Sequence, residues 1–168
     1  HKELVSSWPP KFFLNPPKKI TKSYNAGFNW TRGNSPPQFI ERFPAFLKFF
    51  NYLQSPEFQK RVTNVVGLDK DFVCYSFVIN STFTGSEVLP HKDGIYHNPS
   101  AEAFINIVFF INGTGGRNSG GLMLARDNEL RDIIVEPTDL YNTCLIYDSK
   151  ADFYHGFRPV ERGKFRIA

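Results

Sequence analysis

The fold is decided by the stretch Ile105-Asn106-Ile107-Val108-Phe109-Phe110-Ile111-Asn112. Both alternating faces of this run are apolar, which is typical of a strand that is buried on both sides. Asn106 is the exception, and a buried amide needs a hydrogen-bonding partner. The run therefore predicts an inner strand of a mainly β structure, with one polar side chain whose partner must come from elsewhere in the chain.

Candidate metal ligands lie on both sides of this strand. His91 and Asp93 precede it and are separated by one residue. Because side chains alternate along a strand, the two would project from one face about 7 Å apart and could chelate one ion. His155 follows the strand-like run Thr143-Cys144-Leu145-Ile146-Tyr147 and would reach the same ion from another strand. Two imidazoles and one carboxylate on one face of an octahedral ion are diagnostic of non-heme Fe(II) oxygenases.

The order and spacing of these residues resemble the double-stranded β-helix core of the Fe(II)/2-oxoglutarate-dependent dioxygenases, especially the prolyl-hydroxylase-like branch. The resemblance covers residues 72–168, which is more than half of the chain. It implies a fold class that is mainly β with N-terminal helices and a double-stranded β-helix (jelly-roll) core. The matching segments are His91-Lys92-Asp93, the inner strand 105–112, Gly120-Gly121-Leu122 at the start of the next strand, and His155 followed by Arg166.

The resemblance also implies the cofactors. Fe(II) would be held by His91, Asp93 and His155, which are then both the metal ligands and the catalytic residues, with 2-oxoglutarate and O2 as co-substrates. Arg166 would bind the 5-carboxylate of 2-oxoglutarate, because a guanidinium can grip a carboxylate with two parallel hydrogen bonds. Alternation along the strand 164–168 places Arg166 on the same face as Lys164 and Ala168.

The chain departs from the family pattern at two positions near the expected co-substrate. Family members commonly have a hydroxyl residue where this chain has Ala168, and often a tyrosine where it has Phe110. We expect another hydroxyl to substitute for the one missing at Ala168. The candidates are Tyr75, Thr82 and Tyr147.

Asn106 is the remaining candidate in the co-substrate pocket. By resemblance it would point into the barrel, together with Val108 and Phe110, and contact either the co-substrate or the substrate. We therefore predict Asn106 and Tyr75 as cofactor-binding residues beside Arg166.

Composition and local signals predict one domain over residues 1–168. The chain has 41% hydrophobic residues and eighteen phenylalanines, too apolar for a disordered protein. We divide it into an extended basic lead-in (1–34), buttressing helices (35–67) and the double-stranded β-helix core (72–168). Helix starts are predicted at Ser35-Pro36 and Ser55-Pro56, and a helix end at Gly67. Pro44 should kink the first helix or mark its true start.

Charge and cysteine usage bear on partners and location. Residues 1–70 hold eleven Lys and Arg against four Asp and Glu, whereas residues 71–168 hold nine against twelve. Such a basic segment could contact an anionic partner or nucleic acid, although a solvated arm packed on the barrel is the preferred interpretation and a nucleic-acid partner is not expected. No apolar run approaches about 20 residues, which predicts no membrane span. Cys74 and Cys144, interpreted as buried free thiols, favour a reducing compartment and thus a cytoplasmic location.

These observations together predict an enzyme. It would be an Fe(II)- and 2-oxoglutarate-dependent dioxygenase that hydroxylates an unactivated C–H bond and releases succinate and CO2. The expected substrate is an amino-acid side chain, peptidyl or free, or a related small molecule. The alternatives are a nucleic-acid demethylase of the same superfamily, disfavoured because the chain has no further arginine after Arg166, and a non-catalytic jelly-roll module for binding or sensing.

Overall fold

The computed structural model of the protein describes residues 1–8, 42–68, 72, 74, 76–93, 105–148 and 152–168, and the backbone alone of residues 14–15 and 24–31. Within these residues the secondary structure is mainly β. Three helices lie in the N-terminal part: α1 (Lys2–Ser6), α2 (Pro44–Leu53) and α3 (Pro56–Val66). No helix in the described part of the chain has the length and apolar character needed to span a bilayer.

Capping chemistry sets the ends of the two longer helices. α2 begins at Pro44, so this proline marks a helix start. α3 follows Ser55, whose hydroxyl accepts the backbone N–H of Phe58 at 3.2 Å, and it ends at Gly67 with a left-handed φ of 69°. The predicted starts at Pro44 and Ser55 and the predicted end at Gly67 are thus confirmed. The start predicted at Ser35-Pro36 lies outside the described residues.

The strands are short and occur along the whole chain. The first two strands and α1 lie in residues 1–34, the segment predicted as an extended lead-in. In chain order the strands are β1 (Leu14–Asn15), β2 (Tyr24–Thr31), β3 (Ser76–Phe83), β4 (Val88–His91), β5 (Ile105–Phe110), β6 (Asn112–Gly113), β7 (Met123–Ala125), β8 (Ile133–Val135), β9 (Thr143–Asp148), β10 (Tyr154–Phe157) and β11 (Phe165–Ile167).

The chain divides into two compact units, one formed by residues 1–15 and 25–79 and the other by residues 16–24 and 80–168. The first unit contains the helices. Phe46 and Phe50 of α2 are buried at 2% and 1% exposure. Trp8 packs edge-on against Phe46 with ring centroids 5.4 Å apart, and Phe77 packs against Phe50 at 5.5 Å. Phe46 and Phe50 therefore belong to the core of this unit.

The second unit consists of antiparallel pairs. β4, β10, β7 and β8 form one sheet in that order, β5 pairs with β9, and β11 pairs with the end of β3 on one side and with β6 on the other. The first two of these groups share one hydrophobic core. Its buried members are Phe110, Leu122, Leu124, Leu140, Tyr147, Phe157 and Val160.

The stretch 105–112 is two strands rather than the single inner strand that its pattern predicts. β5 pairs with β9, whereas β6 pairs with β11. Between them, the backbone N–H of Ile111 donates to the carbonyl of Ile167 at 2.9 Å. Ile111, which lies between the two strands, is also buried, at 7% exposure. The apolar run therefore extends past the end of β5, and hydrophobicity alone does not reveal the break.

Both cysteines are free thiols, but the prediction that both are buried is wrong. Cys74 is half-buried, and burial raises the pKa of its thiol. Cys144 is exposed, because alternation along β9 turns its side chain to the face opposite that of the buried Tyr147.

Candidate metal centre

His91 and His155 face each other across two paired strands. His91 is the last residue of β4, and His155 lies in β10, which is flanked by β4 and β7. The antiparallel register sets His91 directly opposite His155, so both side chains project from the same face of the sheet. Their ring centroids are 4.3 Å apart. The sheet alone therefore brings two of the three predicted ligands together.

Asp93 completes the group, but not from a strand. It lies two residues beyond the end of β4, and its Oδ1 is 3.4 Å from Nε2 of His155. One possible donor atom from each of Asp93, His91 and His155 lies within 4.8 Å of the others. The structure thus gathers the three predicted ligands in a space that one ion could fill.

Hydrogen bonds bear on the protonation of His91 and Asp93. Nδ1 of His91 lies 2.8 Å from the carbonyl oxygen of Leu89. A carbonyl only accepts, so a neutral His91 donates from Nδ1 and keeps the lone pair of Nε2 free for a metal. Burial alone would raise the pKa of Asp93, but hydrogen bonds from His155 and Asn106 outweigh it and hold that pKa below its ordinary value. Asp93 is therefore a carboxylate, as a ligand must be.

Asn106 and Tyr147 lie beside these ligands. They are directly opposite each other in the β5–β9 pair. Nδ2 of Asn106 donates to Oδ2 of Asp93 at 2.7 Å. The Tyr147 ring lies 5.6 Å from the His155 ring, and burial together with the charge of Asp93 raises the pKa of its phenol. Tyr147 consequently keeps its proton at every pH at which the protein would be assayed.

Arg166 is a buried cation without an acidic partner among the described residues. It is 4% exposed, and burial lowers its pKa to about 10, so it stays charged at neutral pH. One terminal nitrogen donates to Oδ1 of Asn80, while Nε has no hydrogen-bond partner in the described structure. Its guanidinium carbon lies 5.1 Å from the ring centroid of Phe157 and 6.0 Å from that of Phe110.

A buried hydroxyl accompanies the guanidinium. Thr82 in β3 pairs directly with Arg166 in β11, so the two side chains share a face. Thr82 has no exposed surface, and its Oγ1 lacks a hydrogen-bond partner in the described structure. Of the three hydroxyl candidates, Thr82 thus lies beside Arg166 and Tyr147 beside His155. Tyr75 lies outside the described residues, and its predicted role stays a prediction.

Two strands connect the triad with Arg166. On β10, His155 and Phe157 are two residues apart and share a face, which separates them by about 7 Å, and the guanidinium lies against Phe157. On β5, Asn106, Val108 and Phe110 share a face for the same reason. Asn106 contacts Asp93, and Phe110 is one of the two rings near Arg166. The buried cation and the candidate metal ligands therefore border the same apolar core.

A surface ion pair flanks the two ligand-bearing segments. Lys92, between His91 and Asp93, pairs with Asp152, and its Nζ lies 4.7 Å from the ring centroid of Tyr154. The Asp152 side chain is 90% exposed. Solvated pairs of this kind contribute little to stability. The contact joins residues far apart in the sequence, and nothing in the sequence pattern indicates it.

Comparison with known proteins adds a distant likeness to solved structures. No protein-family profile and no curated protein matches this chain. A crystal structure of a prolyl-4-hydroxylase from Pseudomonas putida is similar over 92% of this chain and 72% of its own length, with a TM-score of 0.49 and 16% sequence identity.

The close approach of β4 and β10 depends on Gly156. A methyl group at this position would lie 2.6 Å from the carbonyl oxygen of Val88 and 3.1 Å from the nitrogen of Pro90. We expect Gly156→Ala to lower the free energy of unfolding by about 1–3 kcal/mol, because the backbone of β4 would have to move. Urea denaturation measures this change, and an unchanged midpoint would show that the two strands are not packed as described.

Gly163→Ala is the matched control for this substitution. A methyl group there meets no atom within 4 Å, although φ is +80°. Its cost is therefore only that of a left-handed backbone, about 1–2 kcal/mol. Because a methyl group at Gly163 meets no neighbour, whereas one at Gly156 meets the backbone of β4, only Gly156→Ala should also weaken metal binding.

Proposed function

We propose that the protein is an Fe(II)- and 2-oxoglutarate-dependent dioxygenase with a double-stranded β-helix core. It would hydroxylate an unactivated C–H bond of an amino-acid side chain, peptidyl or free, or of a related small molecule. One observation carries the proposal: two histidines and a carboxylate converge, and a buried arginine without an acidic partner borders the same core.

The donor set supports iron as the metal. Two imidazoles and one carboxylate match the facial triad of non-heme Fe(II) oxygenases. Catalytic zinc can use the same ligand types. Zinc coordination alone would not explain a buried guanidinium beside the site, whereas the second carboxylate of 2-oxoglutarate would need one. Arg166 therefore favours iron over zinc.

The surroundings of Arg166 support 2-oxoglutarate. An unpaired buried charge is costly, and its cost is removed when an anion binds. Nε of Arg166 and Oγ1 of Thr82 are buried and without partners in the described structure, so both could donate to one carboxylate. Thr82 would then supply the hydroxyl that is missing at Ala168. Phe110 and Phe157 would exclude water from this ion pair and thereby strengthen it.

The chain's own residues would divide the work of the reaction. When bound, the iron would supply the activation of O2 that couples oxidation of 2-oxoglutarate to succinate and CO2 with insertion of one oxygen atom into a C–H bond. His91, Asp93 and His155 would hold it and leave its remaining positions open. Arg166 and Thr82 would orient the distal carboxylate of 2-oxoglutarate, and the protonated Tyr147 would keep an O–H donor beside the metal.

An anaerobic titration tests this proposal. Fe(II) is added to metal-free protein, followed by 2-oxoglutarate, and the visible charge-transfer absorption of an iron-chelated 2-oxo acid is recorded. We expect absorption only after both additions and none with Asp93→Ala. If the wild-type protein binds neither addition, the dioxygenase proposal is wrong. A positive result justifies a screen of amino acids and peptides by succinate release.

A further inference from the structure

We propose that Asn106 is a positioning residue of the metal centre, which keeps Oδ2 of Asp93 occupied so that the carboxylate would bind the metal through Oδ1 alone. The inference rests on the proposed metal function. It concerns how this chain holds the carboxylate ligand, the only one of the three that does not lie in a described strand.

The three ligands are supported very unequally. His155 lies in β10 between two neighbouring strands, and His91 is paired with it and bonded to the carbonyl of Leu89. Asp93 lies beyond the end of β4 and has no strand partner among the described residues. Its carboxylate is instead held by the Asn106 side chain, which comes from β5. The position of this ligand thus depends on a contact with a side chain from another strand.

The chemistry of the two side chains fixes the direction of this contact. An ionised carboxylate only accepts, so the amide must present its N–H to Asp93. Tyr147 lies directly opposite Asn106 on β9, so the amide lies between Tyr147 and Asp93. Oδ2 of Asp93 is engaged at 2.7 Å, while Oδ1 is the oxygen 3.4 Å from His155.

A carboxylate with one oxygen engaged has a consequence for coordination. An octahedral ion offers six positions. Two histidines and a singly bound carboxylate would take three of them and leave the other three for 2-oxoglutarate and O2. A carboxylate bound through both oxygens would take a fourth position and leave too few. The amide of Asn106 thus protects the position that the proposed reaction needs.

Mn(II) binding measures the contribution of Asn106 without relying on turnover. Asn106→Leu has a similar size but no N–H donor. We expect its Kd for Mn(II), measured by electron paramagnetic resonance of the free ion, to rise about 10–100-fold, the usual effect of removing a hydrogen bond to a metal ligand. Asn106→Ala is a second variant that also removes the amide and adds no bulk to β5. We expect the same rise in its Kd for Mn(II).

Thr143→Val is the matched control. Thr143 lies in β9, the strand that pairs with β5, and its hydroxyl donates to the carbonyl of Asp139 at 2.7 Å. The substitution removes this hydrogen bond. It should lower the melting temperature of the metal-free protein, because a hydrogen bond is lost, while leaving the Kd for Mn(II) unchanged. A rise in Kd common to Thr143→Val and the Asn106 variants would mean general loosening of the sheet and would overturn the positioning role.

The outcomes separate the inference from the proposed function. If the wild-type protein binds Mn(II) and Asp93→Ala does not, but both Asn106 variants bind as the wild type does, Asn106 is only a satisfied buried amide and the inference is wrong. If Asp93→Ala binds Mn(II) as tightly as the wild type, the metal centre itself is wrong and the inference fails with it.

Discussion

Asp93→Ala should abolish succinate production while leaving the fold intact. The substitution removes one of three converging ligands, and we expect the affinity for Fe(II) or Mn(II) to fall by more than about 100-fold, since loss of a mere hydrogen bond to a ligand already costs 10–100-fold. Asp93 lies outside the strands and is only partly buried, so the free energy of unfolding should change by less than about 1 kcal/mol. Metal titration and circular dichroism of the same sample measure both effects.

Asp152→Ala is the control for the loss of a negative charge near the site. Asp152 pairs with Lys92, which lies between the two proposed ligands His91 and Asp93, but it is not one of the three converging donors. We expect its metal affinity and succinate production to stay within about twofold of wild type, in keeping with the small energies of exposed ion pairs. If Asp93→Ala retains wild-type turnover, Asp93 is not a ligand.

Arg166→Met should separate stability from co-substrate binding. The KM for 2-oxoglutarate is expected to rise about 10–150-fold, because hydrogen bonds to a charged group are worth about 1.5–3 kcal/mol. The metal-free protein should be at least as stable as the wild type, since replacing a buried, unpaired charge by an apolar side chain is often neutral or stabilising. Steady-state kinetics and urea denaturation measure the two quantities.

Arg158→Met provides the matched arginine control. Arg158 follows β10, and its guanidinium donates to the carbonyl of Leu130 rather than bordering the triad. It should leave the KM for 2-oxoglutarate unchanged. An unchanged KM in Arg166→Met would exclude Arg166 from the co-substrate site, whereas a lower stability with unchanged KM would give this arginine a structural role.

Local chemistry made part of the fold predictable. Ser55 and Gly67 act through hydrogen bonds and backbone angles of their own neighbours, so their positions in the sequence suffice to place the ends of α3. The spacing of His91, Asp93 and His155 also indicated a shared site, but the alternation of a strand applies only to the two histidines, because Asp93 lies beyond the end of β4. Alternation along residues 164–168 likewise predicts that Arg166 and Ala168 lie on the same face.

Contacts between distant strands were beyond such reasoning. Asn106 was recognisable as an amide that needs a partner, but only the path of the chain after β4 brings Asp93 to it. Thr82 could not be preferred over Tyr147 until the register of β3 and β11 was known. Register depends on the whole sheet, and a shift of one residue reverses the face of every side chain.

The register between β4 and β10 has a consequence for how the protein folds. A slip of one residue would turn His91 away from His155 and destroy the ion's site. A metal ion would then bind only molecules whose strands are correctly aligned and would stabilise them by mass action, by about 2.7 kcal/mol at a free concentration of 100 times Kd. Metal present during refolding would therefore select the functional alignment and raise the yield of active protein.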